Sequence, residues 1–181
     1  MSDCCDILIS LTPAYTRAIL DGRKTVELRR RRINVSNGSR VWIYSKTPVA
    51  RIEATAYVHE IHENHPNVLW SDFGNAAGIS KAEFDRYFRG CTRGSAMLLE
   101  RISALAPGID LATMRSEVAG FHPPQFFKRL DRVETNAMIQ TRTGTLIATL
   151  GVPGLGRYGE GGVQPRPTRQ RGCKISTTSE A

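Results

Sequence analysis

Residues 22–32, Gly-Arg-Lys-Thr-Val-Glu-Leu-Arg-Arg-Arg-Arg, constrain this chain more than any other stretch. Alternation with period two from Thr25 to Arg29 predicts a strand with Val26 and Leu28 on one face and Thr25, Glu27 and Arg29 on the other. The apolar face demands a core. The opposite face sets an acid between bases and runs into four consecutive arginines, so the fold must deliver clustered guanidinium groups to the end of a half-buried strand. Residues 22–51 hold nine bases against Glu27 alone, a net +8 that equals the formal net charge of all 181 residues.

The flanking segments read as short elements. Ile7 to Leu11 is an apolar run suited to a buried strand, and Thr12-Pro13 starts a helix to about Leu20 that ends at Asp21-Gly22. Asn37-Gly38 marks a turn before a strand over 40–45. Ile52, Ala54, Ala56 and Val58 give one buried face to a strand over 49–61. A short helix is expected over 67–73. Ser80-Lys81-Ala82-Glu83 is a capping-box pattern, and Phe84, Tyr87 and Phe88 share one face of a helix ending at Gly90. A strand over 95–102 follows. From 105 onward Pro107-Gly108, Gly120 and Pro123-Pro124 predict a loop-rich region with one or two helical turns. This order implies an α+β fold, a small, mostly antiparallel β-barrel with flanking helices.

Composition narrows the classes. With 40% apolar and 23% charged residues the chain is globular, and no apolar run approaches the roughly 18 residues of a membrane span. Met1 to Asp6 carries two acids and no base, unlike a secretory signal, so a cytoplasmic location is expected. Cys4, Cys5, Cys91 and Cys173 form no metal-like spacing, so neither structural zinc nor a disulfide framework is expected.

Arg29, Arg30, Arg31 and Arg32 are candidate phosphate ligands, because clustered guanidiniums release counterions and grip phosphate bidentately. Lys24, just before the strand, is placed to reach the same cleft as Glu27 and Arg29, as a phosphate clamp or a proton-transfer group. The plain alternative is an exposed salt-bridge ladder that adds only modest stability. His59, His62 and His65 are spaced by three, which on a strand turns them to opposite sides, so no metal site is expected. Trp42, Tyr44 and Tyr57 read as core or cross-strand partners before they read as base-stacking platforms. Phe126-Phe127 reads as packing a closing segment. Gln125, beside two prolines, is a candidate for reading a base edge.

Gly22, Lys24, Glu27 and Arg29 together match G-x-K-x-x-E-x-R, and the chain resembles the ASCH domain family of the PUA-like superfamily. Ile7 to Pro13, Trp42 to Ser45 with Pro48, Gly78-Ile79, Phe84 with Tyr87-Phe88 and Gly90, and Pro123-Pro124-Gln125 extend the likeness over roughly residues 6–130. The resemblance implies a five- or six-stranded barrel, a cleft beside the first helix lined by the signature residues, and an association with RNA or a nucleotide. The expected function is RNA binding, with regulation as one use of it, through Lys24, Glu27, Arg29, Arg30, Arg31, Arg32 and Gln125. The resemblance also implies two enzymatic alternatives: a ribonuclease, or an amidohydrolase acting on an acylated nucleoside such as N4-acetylcytidine. Lys24, Thr25 and Glu27 would then be catalytic. The amidohydrolase members use a threonine where this chain has Glu27 and a glutamate where it has Ala76 or Ala77, with Glu83 or Asp72 as replacements. No cofactor and no membrane partner is expected. On this reading the domain spans 1–132, followed by a C-terminal extension over 133–150 and a disordered basic tail over 151–181.

Overall fold

A computed structural model describes residues 5–150, with side chains to residue 144; the tail expected over 151–181 lies outside the described residues. Six strands form one curled sheet, a half-barrel, in the order β2-β5-β4-β3-β1-β6. They are β1 (Asp6–Leu11), β2 (Val26–Arg29), β3 (Arg40–Ser45), β4 (Arg51–Asn64), β5 (Gly94–Asp110) and β6 (Phe127–Arg129). Only β1 and β3 pair in parallel; every other pairing is antiparallel. The helices are α1 (Pro13–Leu20), α2 (Pro66–Phe73), α3 (Lys81–Phe88), α4 (Leu111–Glu117) and α5 (Arg132–Leu150), with a 3₁₀ turn at Gly74–Ala76.

The periodicities set the layers. Ile7, Ile9, Val41, Ile43, Ala54, Ala56 and Val58 face the inside of the curl, where Ile19 of α1 caps them. Leu8, Trp42 and Tyr44, one residue out of phase, face the other way and pack against Met114 of α4, Phe121 and Met138 of α5. Val26 and Leu28 join Leu69, Phe84, Phe88 and Ala96 in a third cluster that fixes α2 and α3 on β2. Trp42 and Tyr44 are therefore core residues, 0% and 5% exposed, and not base platforms.

Two segments differ from expectation. β5 continues to Asp110 instead of ending near 102. Its pairing jumps from Ala54↔Ala104 to Ile52↔Ile109, so Pro107 and Gly108 fall in a bulge where no ladder bond is required of them. Residues 133–150 belong to α5, started by a reciprocal cap in which the Glu134 amide donates to Asp131 Oδ1 at 2.8 Å and the Asp131 amide donates to Glu134 Oε2 at 3.3 Å.

The two outer strands, β2 and β6, do not exchange backbone bonds. Side chains bridge them: Arg29 Nη2 donates to the Phe126 carbonyl at 3.4 Å, and Arg129 donates to the Asn34 carbonyl. The sheet closes along this seam through arginines.

Candidate functional site

Lys24 leaves the end of α1 with its amide bonded to the Ala18 carbonyl at 2.9 Å, which turns its side chain inward. It is 2% exposed. Its ammonium donates to the Val26 and Ala77 carbonyls, each at 2.7 Å, and lies 3.2 Å from Glu27 Oε2. Two of its hydrogens thus meet backbone carbonyls, and its charge is paired with the Glu27 carboxylate. Glu27, also buried, presents its other oxygen to Arg29 Nη2 at 3.0 Å. The exposed-ladder alternative does not hold, because a buried carboxylate stands between two cations. Gly78 completes the enclosure: at φ +66° it presses on the lysine stem so closely that a Cβ there would lie 2.8 Å from Lys24 Cβ.

The ladder forms one wall of a cleft of about 170 Å³ at the β2–β6 seam, lined also by Ser10, Tyr15, Lys46, Glu83, Tyr87 and Phe126. Arg29 Nη2 serves both Glu27 and Phe126; among the described residues Nε and Nη1 have no partner, so the fork keeps free donors. Burial, reinforced by the charges of Glu83 and Glu27, raises the Tyr15 pKa, and burial raises that of Tyr87 despite the opposing pull of Arg29. Both phenols therefore stay neutral at physiological pH, and the Tyr87 hydroxyl donates to the Leu28 carbonyl at 3.5 Å. Glu83 Oε2 accepts from the Ser80 hydroxyl at 2.7 Å and the Ser80 amide at 2.8 Å, bonds that hold its carboxyl below the usual carboxylate range. The Ser10 hydroxyl is buried without a partner among the described residues.

The expected site residues separate. Lys24, Glu27 and Arg29 meet in the cleft. Thr25 does not: β2 begins one residue later, the Thr25 amide bonds to the Ala76 carbonyl, and Thr25 lines a shallow depression with His59, Phe73 and Glu100. Arg30 is drawn to the Cys91 sulfur at 3.0 Å and the Arg89 carbonyl at 3.2 Å. Arg32 pairs with Glu63 at 3.0 Å, while Arg31 is exposed. Gln125 is exposed and is not among the lining residues; its neighbour Phe126 occupies the mouth. Of Phe126, expected to pack a closing segment, the backbone does so, while the residue is 55% exposed. Tyr15, Lys46, Glu83 and Tyr87 complete the lining. The capping box is the one sequence signal that places Glu83 beside a helix start, and nothing local marks Lys46.

The histidines do not converge. His59 lies 3.2 Å from Glu100, His62 lies 3.1 Å from Glu60, and His65 caps α2. Among the described residues no group of three His, Cys, Asp or Glu side chains could hold a metal, and no helix is long and apolar enough to cross a membrane.

No family model matches the chain. A curated protein of Zymomonas mobilis subsp. mobilis, named ASCH domain-containing ribonuclease, is 35% identical over 134 residues, 74% of this chain and 90% of the relative. The crystal structure of ASCH from Zymomonas mobilis is similar with a TM-score of 0.72 at 34% identity, over 76% of this chain and 96% of that one. A crystal structure of a mutant of the same protein gives a TM-score of 0.73 at 33% identity, over 78% and 99% of the two chains.

Proposed function

Since this chain belongs to the ASCH domain family, we propose that the seam cleft binds RNA and cleaves its phosphodiester backbone. The observation that carries this reading is Arg29: anchored by buried Glu27, it keeps free guanidinium donors in a cleft that also holds Lys46. The name of the Zymomonas relative adds RNA cleavage as the chemistry.

In cleavage the 2′-oxygen attacks phosphorus, its proton passing to solvent, and the bond from phosphorus to the 5′-oxygen breaks, so negative charge has to be stabilised on the phosphoryl oxygens. Arg29 and Lys46 supply fixed positive charge there, and a donor that needs no reorientation during reaction stabilises the transition state most. Tyr15 adds a neutral O–H donor that hydrogen-bonds phosphate or the departing oxygen, while the Tyr87 hydroxyl donates to the Leu28 carbonyl at 3.5 Å. The lining contains no histidine, and its two carboxylates are engaged, Glu27 by two cations and Glu83 by Ser80. The cleft thus favours electrostatic catalysis over a base tuned near neutrality. Lys24, hydrogen-bonded to two backbone carbonyls and ion-paired with Glu27, positions Glu27 and through it Arg29. Hydrolysis of an acylated nucleoside is the weaker reading, because Thr25 lies outside the cleft.

The test is cleavage of an end-labelled RNA by the full chain. Arg29→Ala should lower kcat/KM by about 100-fold, the typical loss of one preorganised donor, and Arg29→Lys should recover little, because a point charge does not replace the fork. Cleavage that survives Arg29→Ala unchanged overturns the proposal.

A further inference from the structure

We infer that Phe126 is a platform on which RNA lays one unpaired nucleobase, whatever its identity, while Arg29 and Lys46 take the phosphates flanking that nucleotide. The inference rests on the reading of the cleft as an RNA site and adds the contact that seats a nucleotide in it.

Phe126 is 55% exposed at the cleft mouth, yet its backbone is fixed. Its carbonyl accepts from the Ser10 amide at 2.9 Å and from Arg29 Nη2 at 3.4 Å, and the next residue pairs with Ile9 in the sheet. Pro123 and Pro124 stiffen the approach. An apolar face is thus held in water by a rigid frame, the arrangement a stacking platform requires. Two cations stand over the ring, Arg29 Cζ at 6.0 Å and Lys46 Nζ at 5.8 Å from its centroid.

An exposed aromatic side chain with two cations within 6.0 Å of its ring centroid complements a nucleotide, whose base is flat and whose two neighbouring phosphates are anionic. An acidic peptide would use the cations and leave the ring idle. A duplex keeps its bases stacked on one another, so the base that reaches Phe126 has to be unpaired. Every base offers a π-face, so such a platform tolerates all four.

The probes are 2′-O-methyl oligomers, which cannot be cut by attack of the 2′-oxygen: homopolymers of A, C and U, and an abasic strand of equal length and charge. Their binding to the wild-type chain and to Phe126→Ala, Phe126→Leu and Phe126→Trp is measured by fluorescence anisotropy. Wild type should bind the three homopolymers within about threefold of one another and at least about fivefold more tightly than the abasic strand. Phe126→Ala and Phe126→Leu should lose that advantage without changing abasic binding, and Phe126→Trp should keep it. Equal losses on abasic and base-bearing strands would assign Phe126 a structural role, and no loss on any strand would remove the platform; either overturns the inference. Because the probes are not cut, these outcomes are readable even if the chain fails to cleave RNA. A wild-type chain that binds none of them overturns both proposals.

Discussion

Arg29 and Arg32 belong to the same unbroken run of arginines, yet they live in different physical worlds. The Arg29 side chain is 13% exposed and held 3.0 Å from a buried carboxylate; that of Arg32 is 77% exposed and reaches Glu63 at the rim. The first is part of a ladder whose desolvation is tolerated only because Lys24, Glu27 and Arg29 satisfy one another. The second is a solvated pair worth about 0–1 kcal/mol. Position on the strand, and not residue type, separates them: Arg29 is the last residue of β2, and the chain leaves the sheet immediately after it. A buried, cross-braced cation provides geometry, and exposed cations provide long-range attraction.

This contrast can be broken most severely at Glu27. Glu27→Ala removes the carboxylate both cations share and should cost about 3–5 kcal/mol of stability in urea unfolding, as expected when a buried pair loses one partner; a loss under about 1 kcal/mol would mean that the ladder behaves like a surface pair. Gly78→Ala comes next. The added methyl meets the Lys24 stem at a positive φ and should cost about 1–3 kcal/mol, read as a lowered Tm. Replacing Arg30, Arg31 and Arg32 together by alanine should change stability by only about 0.5 kcal/mol per site while weakening RNA binding for all sequences alike. The slope of log affinity against log salt should become shallower by about 0.7 for each phosphate that is no longer neutralised. An unchanged slope would remove the outer arginines from the RNA path.

The smallest effect concerns alkali. The folded state holds the Tyr15 and Tyr87 protons more tightly than the unfolded chain does. Their contribution to stability is therefore complete below about pH 10 and declines as pH rises further. Tyr15→Phe should flatten the fall of Tm between about pH 10 and 11; an undiminished fall would place its origin elsewhere.

Much of the fold is legible in the sequence because alternation is a local signal. Val26 and Leu28 announce the buried face of β2, and Ser80 with Glu83 announces α3. The C-terminal stretch is less legible for a physical reason: Pro107 and Gly108 are breakers in a regular strand but are harmless inside a bulge. The start of α5 rests on the Asp131–Glu134 cap, a polar pair in a stretch with weak apolar periodicity. At the site, the shared face of Glu27 and Arg29 follows from period two. The burial of Lys24 does not, since lysine is rarely buried and one of its partners, the Ala77 carbonyl, lies 53 positions away. Thr25 is misplaced because β2 begins only at Val26, so the alternation does not extend back to it, and Phe126 by the assumption that an aromatic beside a closing strand packs inward.

The seam also puts the cleft on a clock. Arg29 and the Phe126 carbonyl it meets are 97 positions apart, and β6 docks on β1, so the mouth joins the first and last strands of the sheet. On a ribosome adding about 5–20 residues per second, roughly 5–20 s separate the emergence of these two residues. Throughout that interval the nascent chain owns the arginine and lacks the opposing wall. A truncated or unfinished polypeptide therefore cannot assemble this cleft.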